Sequence, residues 1–113
     1  MALYNELPVF KAAYDLLLNI YGFSATLTRE YKYTLGEKLK NETLELLLIV
    51  YRANSGKEKY DIIQQAREQI ELVRLLLRVL KDLNQISVNS FVRVNQQVEN
   101  VSKQLTGWQK SQK

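Results

Sequence analysis

The sequence has no cysteine and no histidine. Without thiols there is no disulfide framework and no thiolate nucleophile, and without imidazole the commonest general base and the commonest zinc ligand are missing. Proline occurs once and glycine four times, which excludes collagenous and low-complexity classes. The glycines are too dispersed to form a phosphate-cradling loop, and no Gly-x-Gly-x-x-Gly, Walker, His-Glu-x-x-His or Cys-x-x-Cys signature occurs. No uninterrupted apolar run approaches the roughly 20 residues of a membrane span. The opening Met1-Ala2-Leu3-Tyr4-Asn5-Glu6 lacks the basic and apolar regions of a secretory signal, so the expected location is cytoplasmic and no membrane partner is expected.

What remains is a 113-residue chain, 46% hydrophobic and 25% charged, sized for one domain with a modest core. The net charge of +4 is unevenly spread. Residues 1–66 hold eight basic and eight acidic side chains, and residues 67–113 hold eight basic against four acidic. A one-sided basic excess points toward a polyanionic partner, although surplus lysines also serve solubility.

Four amphipathic segments are legible. The first, about 8–27, opens with Pro8 at a position where a missing N–H costs nothing. Phe10, Tyr14, Leu17, Tyr21 and Ser24 follow at steps of four and three, widened by Ala13, Leu16 and Ile20; Gly22, Thr26 and Thr28 weaken its end. The second, about 34–54, starts at Thr34-Leu35-Gly36-Glu37, which has the pattern of a capping box. Leu35, Leu39, Leu46, Ile49 or Val50, and Ala53 form its seam, Leu44, Leu47, Leu48 and Tyr51 point elsewhere, and Asn54-Ser55-Gly56 ends it. The third, about 59–83, has the seam Ile63, Ala66, Ile70, Val73, Leu77 and Leu80, with Leu72, Leu76, Val79 and Leu83 on an adjacent face, and is broken by Asn84-Gln85. In the fourth, about 88–108, Ile86, Val88, Val92 and Val94 alternate like a strand. Phe91, Val94, Val98, Val101, Leu105 and Trp108 nevertheless keep helical spacing over 18 residues, too long for an ordinary strand, with Ser87 placed to cap. The polar tail 109–113 is expected to be disordered.

Short connections between such helices force neighbours to run antiparallel, so the expected fold is an all-α, up-down-up-down four-helix bundle spanning 1–113 as one domain. The second and third helices show more apolar circumference than a four-helix core uses, which predicts a homo-oligomer in which a second copy covers part of it. The plainer alternative makes them the more central helices of a monomer.

Arg67, Arg74, Arg78 and Lys81 fall at steps of seven, four and three on one side of the third helix. Guanidinium forks in a row suit a repeating chain of phosphates. Glu71 and Asp82 on the same strip also allow an ordinary salt-bridged solvent face. Arg29, Lys32, Lys38 and Lys40, interleaved with Tyr31 and Tyr33, form a second cluster able to stack on bases, or simply to anchor a loop on the bundle end. Glu42-x-x-Glu45 and Glu68-x-x-Glu71 are spaced like the metal-holding pairs of helical hydrolases and di-metal bundles. The di-iron form needs a histidine this chain lacks, and surface ion pairs account for most of these acids. Glu42, in the seam between Leu39 and Leu46, is expected to pair with Lys38 or with an arginine across the bundle. No enzyme activity, metal, cofactor or small-molecule substrate is expected.

The segment from Arg29 to Leu39 with its Tyr-Thr-Leu-Gly-Glu core, the run from Leu46 to Asn54 ending Tyr-Arg-Ala-Asn, the stretch from Leu72 to Leu83, and the late Gly107-Trp108 resemble the accessory variability determinant (Avd) proteins of diversity-generating retroelements. The same superfamily includes the four-helix bundle proteins encoded in intervening sequences of 23S rRNA genes, which share the Tyr-Thr-Leu-Gly-Glu segment. The resemblance covers nearly the whole chain. It implies a non-catalytic, homopentameric barrel of bundles with a basic surface that binds the element's reverse transcriptase together with RNA and DNA, and that supports mutagenic cDNA synthesis. The family's arginine pair on the third helix falls on Arg74 and Arg78, and its loop basics fall on Arg29 and Lys32. A proline common before that loop is replaced here by Leu27-Thr28, so the approach to the second helix is expected to differ. The alternative the resemblance leaves open is an intervening-sequence bundle with a structural or interaction role.

Overall fold

Local chemistry places four punctuation marks in the chain, and the helices fall between them. The computed structural model describes Leu3 to Gln112; Met1, Ala2 and Lys113 lie outside the described residues. A single 3-10 turn at Tyr4–Glu6 leads into α1 (Pro8–Ser24), followed by a one-turn α2 (Arg29–Lys32), then α3 (Leu35–Ser55), α4 (Lys59–Asp82) and α5 (Val88–Lys110). Among the described residues there is no strand, and no helix is long and apolar enough to cross a membrane.

Each boundary has a physical cause. Pro8 sits at the start of α1. Gly56 follows α3 in an extended conformation. After α4, Asn84 adopts φ 60°, a left-handed conformation that asparagine tolerates better than most side chains. The Gln85 amide then donates to the Leu80 carbonyl and the Asn84 amide to Lys81, both at 2.9 Å, which is a Schellman closure. Ser87 caps α5 by accepting the Ser90 amide at 3.2 Å, so the contested β-branched run is helical.

α1 packs against α3 and α5, and α4 packs against the same two, giving a square of four long helices. The bundle measures 44 × 22 × 21 Å. Side-chain contacts fix the direction of the neighbours: α4 meets α5 through Arg67 with Gln109 and then Arg74 with Glu99, residue numbers rising on one helix as they fall on the other. The expected seams of the last three long helices line the interior. Leu39, Leu46, Val50, Ile63, Ile70, Val73, Leu77, Leu80, Val98 and Leu105 are fully buried.

Five sequence expectations are corrected. The buried face of α1 is centred on Val9, Ala13, Leu16, Leu17, Ile20 and Ser24, while Tyr14 and Tyr21 stay exposed. Sinking those two phenols would strand their hydroxyls at roughly 1–3 kcal/mol each. α1 stops at Ser24, where the Thr26 hydroxyl donates to the Phe23 carbonyl at 2.6 Å, rather than running to Leu27. Residues 29–32, expected to be loop, form α2. Thr34 does not close a capping box, because α2 ends so near that its hydroxyl donates back to the Glu30 carbonyl at 2.8 Å, and Glu37 pairs with Lys40 at 2.7 Å. Last, α5 continues through Lys110 and Gln109 is buried, so at least as far as Gln112 the expected disordered tail is replaced by helix and turn. Lys113 lies outside the described residues.

Gly36 explains the compact bend before α3. A Cβ there would come within 2.9 Å of Leu27 Cδ1 and 3.2 Å of the Tyr31 carbonyl oxygen. The loop that carries Arg29 and Lys32 therefore lies directly on the first turn of α3. The Thr28 amide, donating to Gln85 Oε1 at 3.0 Å, ties that loop to the α4–α5 connection.

Candidate nucleic-acid interface

Helical spacing puts Arg67, Arg74, Arg78 and Lys81 on one side of α4, but α5 packs beside that side and sorts them into different environments. Arg74 is drawn into the α4–α5 groove. Its guanidinium bonds Glu99 of α5 and its Nε lies 3.2 Å from Glu71 Oε1, leaving the side chain 29% exposed. Arg78, one turn on, is 69% exposed and pairs with Asp82 at 3.4 Å. Lys81 makes no ion pair among the described residues and stands over the Phe91 ring at 5.3 Å. Leu75, Phe91 and Asn95, with the carboxylates Glu71 and Glu99, complete the groove shared by Arg74, Arg78 and Lys81.

Arg67 belongs elsewhere. It donates to Oε1 of the buried Gln109, near the opposite end of the bundle, and borders a different groove with Tyr60 and Lys110. The predicted row of four is thus one clamped arginine, two accessible cations and one distant arginine.

Arg29 and Lys32 sit on α2 at the same end of the bundle as Arg78 and Lys81, because Gln85 joins the two connections there. Arg29 is exposed, and Lys32 lies 5.9 Å from the Tyr33 ring centroid. Tyr31 packs partly buried against the core while Tyr33 is 65% exposed, so one tyrosine anchors the loop and the other is available to a ligand. Lys40 is held by Glu37 and covers the Tyr21 ring at 5.1 Å.

The paired glutamates do not converge. Among the described residues there is no cluster of three or more potential metal ligands. Glu42 does pair with Lys38, at 3.0 Å. Its cross-bundle partner is a glutamine: Gln69 Nε2 donates to Glu42 Oε1 at 2.8 Å and to the Glu42 carbonyl at 2.7 Å. The Gln69 hydrogen bond first, and then Lys38, hold the Glu42 pKa below its ordinary value.

Two relevant side chains escaped the sequence reading. Arg93 on α5 is exposed, makes no ion pair among the described residues, and lines a groove against α1 with Asn19, Phe23 and Gln97. Standing alone among polar and valine residues, it belongs to no periodic row. Gln109 looked like a polar tail residue, and its position one helical step past Trp108, continuing the spacing of Leu105, was the available signal.

The exposed apolar surface lies mainly on the α1–α3 side. Tyr4 meets Tyr51 edge-on at 4.9 Å and Phe10 at 5.0 Å, and Tyr14, Leu18, Leu44 and Leu48 are each more than two-fifths exposed. The second seam of α4 is mostly covered within the bundle, with Leu76 buried and Leu72 partly so.

Residues 9–112 match the family model described as bAvd-like. No curated protein matches the chain.

Proposed function

The chain belongs to the bAvd-like family, and from that premise we propose that it is a non-catalytic accessory protein of a diversity-generating retroelement, supporting mutagenic cDNA synthesis. It assembles as a homo-oligomer, a pentameric barrel in the arrangement the resemblance implies. The assembly holds the element's reverse transcriptase and its RNA and DNA on a basic surface. The observation that carries the nucleic-acid part is the accessibility of Arg78 and Lys81, at the end of the bundle that also presents Arg29 and Lys32.

The chemistry is electrostatic. An exposed pair such as Arg78 with Asp82 is worth about 0–1 kcal/mol, so a phosphate displaces the carboxylate at little cost. Lys81, over an aromatic ring and in no ion pair among the described residues, needs no displacement. Each site is weak alone, and several copies in one assembly add as avidity. Binding of this kind falls steeply with salt and reads little sequence, because backbone phosphates rather than base edges are engaged.

Co-purification with the element's reverse transcriptase, with and without Arg78→Glu and Lys81→Glu, tests partner and surface together. The double reversal is expected to abolish capture of polymerase and oligonucleotide while the helical signal persists. Unchanged capture of both would refute the assignment of this surface.

One observation favours a second reading, an intervening-sequence-type bundle with a structural role: Arg67 and Arg74 are engaged inside the subunit. That protein would capture no polymerase, and its oligonucleotide binding would be absent or indifferent to salt.

A further inference from the structure

Gln109 is 3% exposed, and every polar atom of its side chain is used. Its Nε2 donates to the Tyr60 carbonyl at 3.2 Å and to Gln64 Oε1 at 2.9 Å, and its Oε1 accepts from Arg67. A buried amide with both ends committed is a rigid mount. It engages one N–H of the Arg67 guanidinium and leaves the others for a ligand. The groove beside it, of about 490 Å³, is lined by Tyr60, Arg67, Thr106, Gln109, Lys110 and Gln112.

Among the described residues no carboxylate lines this groove, whereas Glu71 and Glu99 line the one around Arg74. Glu58 and Asp61 border the next depression, beside Lys57 and Lys59, and Glu68 and Glu71 border the far side of Arg67; the ion pairs among the described residues include neither Arg67 nor Lys110. Tyr60 is 54% exposed on the rim.

We infer that the Tyr60–Arg67–Lys110 groove is a second nucleic-acid site, taking one nucleotide of a single strand with its phosphate on Arg67 and Lys110 and its base against Tyr60. Gln109 is the positioning residue for Arg67. The site lies at the end of the bundle opposite Arg78 and Lys81. It rests on the nucleic-acid part of the proposed function but on different residues. A single strand is favoured over a duplex because the groove joins a phosphate-binding pair to one accessible aromatic face, and only an unpaired base can stack on it.

The test is fluorescence anisotropy of a labelled oligothymidylate and of a labelled duplex, titrated with the full chain across a range of KCl concentrations. Arg67→Gln with Lys110→Gln is expected to weaken single-strand binding about tenfold at low salt and to reduce the salt slope by about 0.7, the share of one phosphate. Tyr60→Ala should weaken single-strand binding about tenfold and leave the duplex unchanged. Gln109→Glu supplies Arg67 with an internal counter-charge; it should mimic Arg67→Gln, and adding Arg67→Gln to it should cost nothing more. Circular dichroism melts identify any variant that has lost its fold, and for such a variant the Tyr60→Ala comparison decides. If these variants bind like wild type while Arg78→Glu with Lys81→Glu loses binding, the inference is wrong and the function reading stands. Equal losses for single strand and duplex in Tyr60→Ala also overturn it. If the wild-type chain binds no oligonucleotide even at low salt, both fall together.

Discussion

Arg74 of α4 is fastened to Glu99 of α5, so the first arginine of the pair closes an inter-helix tie while Arg78, one turn away, faces solvent. Four-residue spacing makes the two look equivalent, and the difference comes from α5. Glu99 is placed to reach Arg74, and opposite Arg78 the groove offers Phe91 and Asn95 instead.

The two arginines should therefore separate in experiment. Arg74→Ala is expected to cost about 1 kcal/mol of stability, at the upper end for a partly screened pair, seen as a lower urea midpoint. Arg78→Ala should leave the midpoint unchanged within about 0.5 kcal/mol and weaken oligonucleotide binding. Glu99→Gln breaks the cross-helix tie and leaves Arg74 with Glu71, so it should destabilise slightly and bind nucleic acid more tightly; unchanged binding would show that Arg74 makes no phosphate contact.

Glycine replacements offer an internal control for packing at the α2–α3 bend. Gly36→Ala gains helix propensity worth about 1 kcal/mol, but its methyl would press on the Tyr31 carbonyl and on Leu27, which is itself buried. A net loss of about 1–2 kcal/mol is expected, in the range of overpacking. At Gly22 and Gly107, both helical, a Cβ meets nothing within 4 Å, so alanine should raise the melting temperature. A stabilising Gly36→Ala would mean that the loop is free to lift from α3.

How much of this was legible beforehand follows from which forces are periodic. The seam from Ile63 to Leu80 was readable because burial repeats at 3.6 residues and every one of its six positions is large or methyl-bearing. On α1 the pattern includes the buried Ala13, Leu16, Leu17, Ile20 and Ser24 but also takes in Tyr14 and Tyr21, since tyrosine counts as apolar in a stripe yet keeps its hydroxyl wet at the edge. Site chemistry was less readable. Whether a cation is clamped depends on one acid on another helix, as with Glu99, and a bond such as Gln109 to Arg67 joins positions 42 residues apart with no sequence signature.

The acid side of the stability profile should carry the mark of Glu42. Its folded pKa lies below the ordinary 4.5, so its ionised form contributes stability that is fully present above the unfolded value and is lost as pH falls through the folded one. Gln69→Leu removes two hydrogen bonds to Glu42, one of them to the carboxylate, and should cost roughly 2 kcal/mol at pH 7. Below the folded pKa the carboxylate is protonated in both proteins and the gap should narrow, leaving the bond to the backbone carbonyl. Urea titrations at a series of pH values from neutral into the acid range measure it, and a constant gap would contradict the assignment.

The exposed α1–α3 face is the test of assembly. Leu18 and Leu48 are 53% and 51% exposed on helices that pack against each other, next to Tyr14, Leu44 and Tyr51. A bundle with a core of this size gains nothing from wetting so many large side chains, whereas covering each leucine with a second copy recovers up to about 1.5–3 kcal/mol. The polar cluster around Arg78 lies on the α4–α5 side, so burying the α1–α3 face leaves it accessible. Light scattering on a sizing column should give an oligomer for the wild-type chain. Leu18→Glu with Leu48→Glu should shift it to a folded monomer with the same helical signal, since neither side chain belongs to the core. Oligonucleotide binding by that monomer should weaken through lost avidity, with its salt slope per bound chain preserved. An oligomer that survives both glutamates would place the contact on another face, and a wild-type monomer would remove the barrel from the proposed function.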